Sequence, residues 1–127
     1  MPKKKLYHWI VDALHDAKAK DIVVLDVRKI SDFTDYMVIA SGTSTRHVQS
    51  GADKVIEKLR SHGHRQLGIE GMETGEWVLI DFGEAVAHLM RPPTRDFYNL
   101  EKLWSEGKEV KLTEKKTHRQ AAKAAKD

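Results

Sequence analysis

The sequence predicts a mixed α/β domain in which helices pack on a mixed sheet. Segments with apolar residues at three- and four-residue spacing alternate with short runs rich in β-branched residues. A single glycine joins two of these runs, as in a tight antiparallel hairpin. The length of 127 residues is enough for one domain with its own core. The predicted order is α-β-β-α-β-β-β-α over residues 1–105, and a charged, basic tail follows over residues 106–127.

The first half of the chain supplies two helices and two strands. Apolar residues recur at helical spacing over residues 6–17, which predicts an amphipathic helix. Residues 22–27 and 36–41 are rich in β-branched and other apolar residues, so both runs predict strands. Hydroxyl side chains at positions 43–45 can cap a second helix, and Gly63 is expected to end it.

The second half supplies three strands and a helix. Pro92 and Pro93 are expected to end the last of these strands, because neither residue can donate to a sheet ladder. Thr94 then stands where a helix cap is expected. The predicted elements are a short strand within residues 66–71, strands over residues 76–82 and 84–90 joined at Gly83, and a helix over residues 94–104.

Composition excludes several classes of protein. The chain has no cysteine, so disulfides and thiolate metal sites are absent. No stretch near the start has the apolar run of a signal peptide, and none reaches the roughly 18 apolar residues of a membrane helix. We therefore expect a cytoplasmic protein that does not bind membranes.

The net charge of +3 resides in residues 106–127, which hold seven basic and four acidic side chains. The rest of the chain is formally neutral, so its charge does not predict nucleic-acid binding. The tail has few large apolar residues and is expected to be solvated and flexible. A weak electrostatic contact with RNA is the alternative.

The loop after the second strand has the composition of a phosphate-binding turn, with small polar residues before a helix. However, it lacks the glycine and lysine spacing of the Walker motif and the glycine spacing of dinucleotide-binding folds. A capped helix start explains the same hydroxyl groups, and we favour that interpretation. A nucleotide-binding or nucleotidyltransferase-like enzyme that uses the loop from Ser41 to His47 is the alternative.

The predicted strands show no pair of carboxylates that could bind catalytic metal ions. Metal-dependent phosphoryl transfer needs at least two carboxylates converging on the ions. On the strand face that carries Asp81, the neighbours two residues away are Leu79 and Gly83. Trp77 shares this face, where it is either an exposed anchor for a protein partner or a core residue beneath a helix.

Three long runs are distinctive in combination: "DIVVLDVRKISDFTDYMVIASGTSTRHVQSGAD", "LGIEGMETGEWVLIDFGEAVAHLM" and "TRDFYNLEKLW". On these runs the chain resembles the RsfS family of ribosomal silencing factors, also called the Iojap-like family. With the first helix, the resemblance covers nearly all of residues 6–104. It says nothing about the tail.

The resemblance implies a domain related to nucleotidyltransferases but without their metal-binding carboxylates, and hence a protein that is not an enzyme. It implies binding to large-subunit ribosomal protein fourteen, on the face of the large subunit that contacts the small one. The bound factor would block association of the subunits and repress translation when nutrients are limiting. It also implies a homodimer when the protein is free, and some relatives act in large-subunit assembly.

Carried over to this sequence, the resemblance implies a partner-binding surface on the hairpin and at the start of the last helix. Acidic groups beside apolar anchors would complement a basic partner. No catalytic, cofactor-binding or metal-ligating residue is expected. The expected partner-binding residues are Glu70, Trp77, Asp81, His88, Met90, Arg95 and Tyr98.

Overall fold

The structure, a computed structural model, describes residues 5–104 and 107–110. Within them the chain has a mixed α/β fold, which confirms the predicted class. None of the helices in this part of the chain combines the length and apolar character that crossing a bilayer requires. The elements are α1 (Leu6–Asp16), β1 (Lys20–Asp26), β2 (Tyr36–Ser41), α2 (Thr45–Ser61), β3 (Gly68–Glu70), β4 (Trp77–Asp81), β5 (Ala85–Met90), α3 (Pro92–Tyr98), α4 (Leu100–Leu103) and β6 (Lys108–Glu109).

The strands in the described residues form one sheet in the order β3-β4-β5-β2-β1-β6. β2 and β5 are parallel, and the other neighbours are antiparallel. Helices α1 and α2 pack on one face over the larger core cluster, to which Leu59 and Ile80 belong. On the other face, Leu100 of α4 joins a smaller cluster that contains Met90.

Strand β2 lies in the middle of this sheet, and all six of its residues are buried. A strand covered on both faces has no solvent side, so its sequence is an apolar run without alternation. This explains why "YMVIAS" predicts the strand well, and its predicted bounds coincide with those in the structure.

Helix α2 begins and ends at the predicted signals. The Ser44 side chain is the N-cap and accepts a hydrogen bond from the backbone N–H of His47 at 3.0 Å. The helix ends at Ser61, and Gly63 follows with φ of 87°. Glycine tolerates this left-handed conformation, which commonly terminates helices.

The β4–β5 hairpin turns at Gly83, as predicted. Gly83 has φ of 85°, which an L side chain rarely adopts. The Asp81 carboxylate accepts a hydrogen bond from the Gly83 N–H at 2.8 Å, and the Phe82 N–H donates to the Ala85 carbonyl at 2.9 Å. Asp81 therefore stabilises the turn.

The prediction of one helix over residues 94–104 was wrong. The helix begins earlier, at Pro92, because a proline in the first turn has a suitable φ and no N–H to satisfy. It stops at Asn99, which adopts φ 49° and ψ 59°. Asparagine tolerates this left-handed conformation, and its side chain then accepts from the Lys102 N–H and starts α4. Thr94 is not the cap; its hydroxyl donates to Glu76 at 3.2 Å.

Strand β6 was not predicted. It pairs antiparallel with the end of β1, where Lys108 lies opposite Asp26 and Glu109 lies opposite Leu25. Two residues carry too little pattern to signal a strand. Apart from residues 107–110, the predicted tail lies outside the described residues, and so does the alternative of a weak contact with RNA.

Candidate functional site

One face of the sheet is only partly covered. Helices α3 and α4 pack at the ends of β2 and β5, where Arg95 reaches Ser41 and Leu100 packs beside Met90. Between these helices and the outer strand β3, several side chains are exposed or half-buried. We call this surface the open face; it is formed by Glu70, Trp77, Leu79, Asp81 and Val86 of the sheet and Tyr98 of α3.

Trp77 is the central aromatic residue of the open face. Its side chain is half-buried and packs against the smaller core cluster. The indole N–H donates to Nδ1 of His88 at 3.0 Å. Its ring also packs against Tyr98, with centroids 4.8 Å apart and planes inclined at 48°. In its burial Trp77 lies between the two interpretations from sequence, because the ring packs against a core cluster yet keeps a solvent-accessible side. Its role as an anchor for a partner stays a prediction.

Tyr98 and Phe97 extend this aromatic surface along α3. Tyr98 is 53% exposed and Phe97 is 81% exposed. Their rings meet edge to face, with centroids 5.0 Å apart at 85°. Phe97 was not predicted as a surface residue, because a continuous helix would have placed it on an apolar stripe. The proline pair and Asn99 are the signals that indicate a shorter helix.

His88 lies beside Trp77 and is only 6% exposed. Its cross-strand neighbours are Leu79 on β4 and Ile39 on β2, so the ring sits among apolar side chains. Burial lowers the pKa of His88 from 6.5 to about 4. The imidazole is therefore neutral at pH 7. Because the indole N–H of Trp77 donates to Nδ1, the single imidazole proton is on Nε2.

Arg95 is also buried, at 8% exposure. Its guanidinium donates to the Ser41 hydroxyl at 2.9 Å and to a carboxylate oxygen of Glu101 at 2.7 and 3.2 Å. Such paired, charge-assisted bonds have a fixed geometry. Arg95 therefore fastens α3 to the end of β2 and to α4.

The seven expected partner-binding residues all lie on this side of the sheet, but at different depths. Glu70 and Tyr98 are exposed, and Trp77 and Asp81 are half-buried. The buried members are Met90, His88 and Arg95. The role of all seven residues in binding a partner stays a prediction. Met90, His88 and Arg95 lie beneath the surface, where they support the residues above them.

The loop from Ser41 to His47 uses its polar groups locally. Nδ1 of His47 accepts from the Thr43 N–H at 2.8 Å, so Nε2 carries the proton and donates to the Ala17 carbonyl, also at 2.8 Å. A Cβ on Gly42 would come within 2.7 Å of the Val48 side chain. These contacts fit the capped helix start that the sequence favoured.

Two carboxylates on strands of the sheet, Asp81 of β4 and Asp26 of β1, do not converge. Asp81 lies opposite Val86, which pairs with Met37, and Met37 pairs with Leu25. Adjacent residues in a strand point to opposite faces, so Asp26 lies on the other face from Asp81. Among the described residues, no group of three histidine or carboxylate side chains is placed to hold a metal ion.

The chain is similar to proteins of one known family. The sequence model described as "Ribosomal silencing factor during starvation" (RsfS) matches residues 1–127. The chain is 45% identical over 94 residues to the ribosomal silencing factor RsfS of Chromobacterium violaceum, covering 74% of this chain and 77% of that protein. It is 41% identical over 99 residues to the mouse protein "Mitochondrial assembly of ribosomal large subunit protein 1", covering 76% and 43%.

The fold agrees with this similarity. A crystal structure of a Chromobacterium violaceum protein matches with a TM-score of 0.79 at 38% identity, covering 90% of this chain and 94% of the other. The sequence model spans the whole chain, and the structural match has the same mixed α/β architecture. The chain belongs to the RsfS family of ribosomal silencing factors.

Proposed function

We propose that the chain silences ribosomes by binding large-subunit ribosomal protein fourteen and sterically blocking association of the large and small subunits. It thereby represses translation in the cytoplasm when nutrients are limiting. The observation that carries this proposal is the open face, where Trp77 and Tyr98 form an aromatic pair on an otherwise well-packed domain. Membership of the RsfS family supports an action on the ribosome.

The open face has the composition of a protein-binding surface. Large aromatic residues near the centre of an interface, surrounded by polar groups, supply most of the binding energy in many complexes. Here Trp77 and Tyr98 provide the aromatic centre, and Asp81 and Glu70 provide negative charge on neighbouring strands. Acidic groups at these positions suit a basic ribosomal protein and would fix its register.

Blocking subunit association needs no chemistry, because an occupied surface cannot also join the other subunit. The separation of Asp26 and Asp81 on opposite faces supports a non-enzymatic role. The local hydrogen bonds of Thr43, Ser44 and His47 support it further, since these groups already have partners.

The direct test is sedimentation of the protein with isolated ribosomal subunits. We expect it to move with large subunits and not with small ones, and to reduce subunit joining measured by light scattering. Purified ribosomal protein fourteen should bind the chain in a separate calorimetric titration. A protein that remains at the top of the gradient with large subunits would refute the proposal.

Surface variants locate the binding site. Trp77→Ala or Tyr98→Ala should weaken binding by about 2 kcal/mol, or about thirtyfold, as hot-spot truncation commonly does. Phe33→Ala is the matched control, because Phe33 is 88% exposed but lies before β2, at the end of the sheet away from Trp77. Equal effects of all three variants would show that the open face is not the site.

One observation favours a second candidate, a nucleotide-binding protein with a fold related to nucleotidyltransferases. The parallel neighbours β2 and β5 are followed by α2 on one face and α3 on the other. Ligands of open α/β sheets often bind where connections diverge in this way. Calorimetry with Mg²⁺ and nucleoside triphosphates tests it: heat that Arg46→Ala abolishes would favour this candidate, and no heat would exclude it.

A further inference from the structure

We propose that His88 is a positioning residue of the open face: it accepts the indole N–H of Trp77 and so holds Trp77 in the orientation that the ribosomal partner contacts. This inference rests on the proposed function and deepens it. It assigns a buried histidine to the preparation of the binding surface and not to contact with the partner.

The register of the hairpin brings the two side chains together. Trp77 lies opposite Met90 and His88 lies opposite Leu79, so Trp77 and His88 are diagonal neighbours on one face. Residues placed diagonally across two neighbouring strands are close enough for an aromatic side chain on one to contact the other. The indole therefore extends toward His88 along the open face, and its N–H meets Nδ1 at 3.0 Å.

Two contacts hold the indole in this orientation. His88 accepts its N–H on one side, and the Tyr98 ring packs against it with centroids 4.8 Å apart. Turning the indole over would carry its N–H away from His88 and leave a buried acceptor without its donor. Since buried polar groups are strongly selected to be paired, the observed orientation is favoured before any partner binds.

A fixed aromatic side chain has little rotational freedom left to lose. Ordering side chains at an interface opposes binding, and a side chain that is already ordered avoids this penalty. The effect of His88 must pass through Trp77, because the imidazole is 6% exposed and lies beneath the surface that a partner would touch. Its neutral state, which burial maintains by lowering its pKa, keeps the acceptor available.

Three substitutions separate positioning from general packing. His88→Leu removes the acceptor but keeps a buried apolar side chain on the strand. His88→Asn restores an acceptor, because the amide oxygen lies near the place of Nδ1. Trp77→Phe removes the donor and keeps an aromatic ring, so it tests the same bond if His88→Leu fails to fold.

The first measurement is independent of the ribosome. In a ¹H–¹⁵N spectrum, the indole N–H resonance of Trp77 is assigned by its loss in Trp77→Phe. We expect His88→Leu to shift it and His88→Asn to return it toward its original position. Trp9 is the internal reference, because it stacks on His62 with centroids 3.6 Å apart and belongs with the other sheet face. In Trp77→Phe, the ¹⁵N resonance of His88 Nδ1 should move as well.

The second measurement is affinity for isolated large subunits. His88→Leu should weaken binding about three- to tenfold, the range expected when one side chain must be ordered on binding. His88→Asn should recover most of the loss. In the Trp77→Phe background, His88→Leu should have no further effect, since the bond through which it acts is already gone.

Different experimental results would refute the proposed function and the positioning role of His88. A wild-type chain that does not bind large subunits refutes the proposed function and, with it, the binding role of His88. A wild-type chain that binds, combined with an unmoved Trp77 resonance in His88→Leu, overturns the positioning role alone. So does an equal loss of affinity from His88→Leu with and without Trp77→Phe, because His88 would then act independently of Trp77.

Discussion

Lowering the pH from about 7.5 to 5 is expected to destabilise the fold through His88. The side chain is 6% exposed, and its pKa falls from 6.5 to about 4 in the folded chain because burial disfavours the charged imidazolium. Between these values the unfolded chain binds a proton that the folded chain does not. Stability therefore is full above pH 6.5 and decreases as the pH falls toward 4.

The magnitude follows from this difference in pKa. Each unit corresponds to about 1.4 kcal/mol, so the whole difference amounts to about 3 kcal/mol. About 2 kcal/mol of this is lost by pH 5, where most ordinary carboxylates are still ionised. The loss is a substantial fraction of the stability of a typical domain, about 5–15 kcal/mol.

Urea unfolding at pH 7.5 and pH 5 measures the effect, with His88→Asn as the comparison. The asparagine variant lacks the titrating group but keeps a polar acceptor, so its stability should change by about 2 kcal/mol less than that of the wild type. Every other titrating group contributes equally to both proteins. An identical pH dependence in wild type and His88→Asn would show that His88 does not titrate as its burial requires.

Three other changes test contacts of the described fold by urea unfolding at pH 7.5. Ser44→Ala should destabilise the protein by about 1 kcal/mol, since it removes the α2 N-cap; Ser50→Ala, on the same helix and exposed, should have less effect. Arg95→Ala should cost about 2 kcal/mol, because it removes charge-assisted bonds to Ser41 and Glu101; no loss would mean that α3 is held by other contacts. Asp81→Ala should cost about 1 kcal/mol through the Gly83 turn, and Asp81→Asn, which keeps the acceptor, should be milder.

Much of the local structure could be predicted because its signals lie close together in sequence. The buried run of β2, the Ser44 cap and the turn at Gly83 each depend on a few neighbouring residues. The break at Asn99 was missed because helical spacing continues across it, while the left-handed conformation of one residue interrupts the helix. Apolar periodicity alone does not distinguish a continuous helix from one that a left-handed residue interrupts.

Sequence patterns predict which residues of the candidate site share a face of the sheet, but not how their side chains contact one another. Sequence placed Trp77 and Asp81 on one face, since alternate residues of a strand share a face. The hydrogen bond from Trp77 to His88 could not be predicted from the sequence. It depends on the register of two strands and on the burial that keeps the imidazole neutral. Similarly, Arg95 pairs with Ser41 across 54 positions, a separation that no local pattern spans.

The bond between Arg95 and Ser41 has a consequence for how the surface tolerates change. Ser41 ends the central strand and begins the loop to α2, while Arg95 belongs to the short helix that presents Tyr98. A substitution at position 41 would therefore loosen the helix that carries Tyr98 without changing any residue of the open face. The start of a loop with the composition of a phosphate-binding turn thus holds α3 in place. If the open face binds the ribosome as proposed, binding should also be sensitive to this residue outside the contact surface.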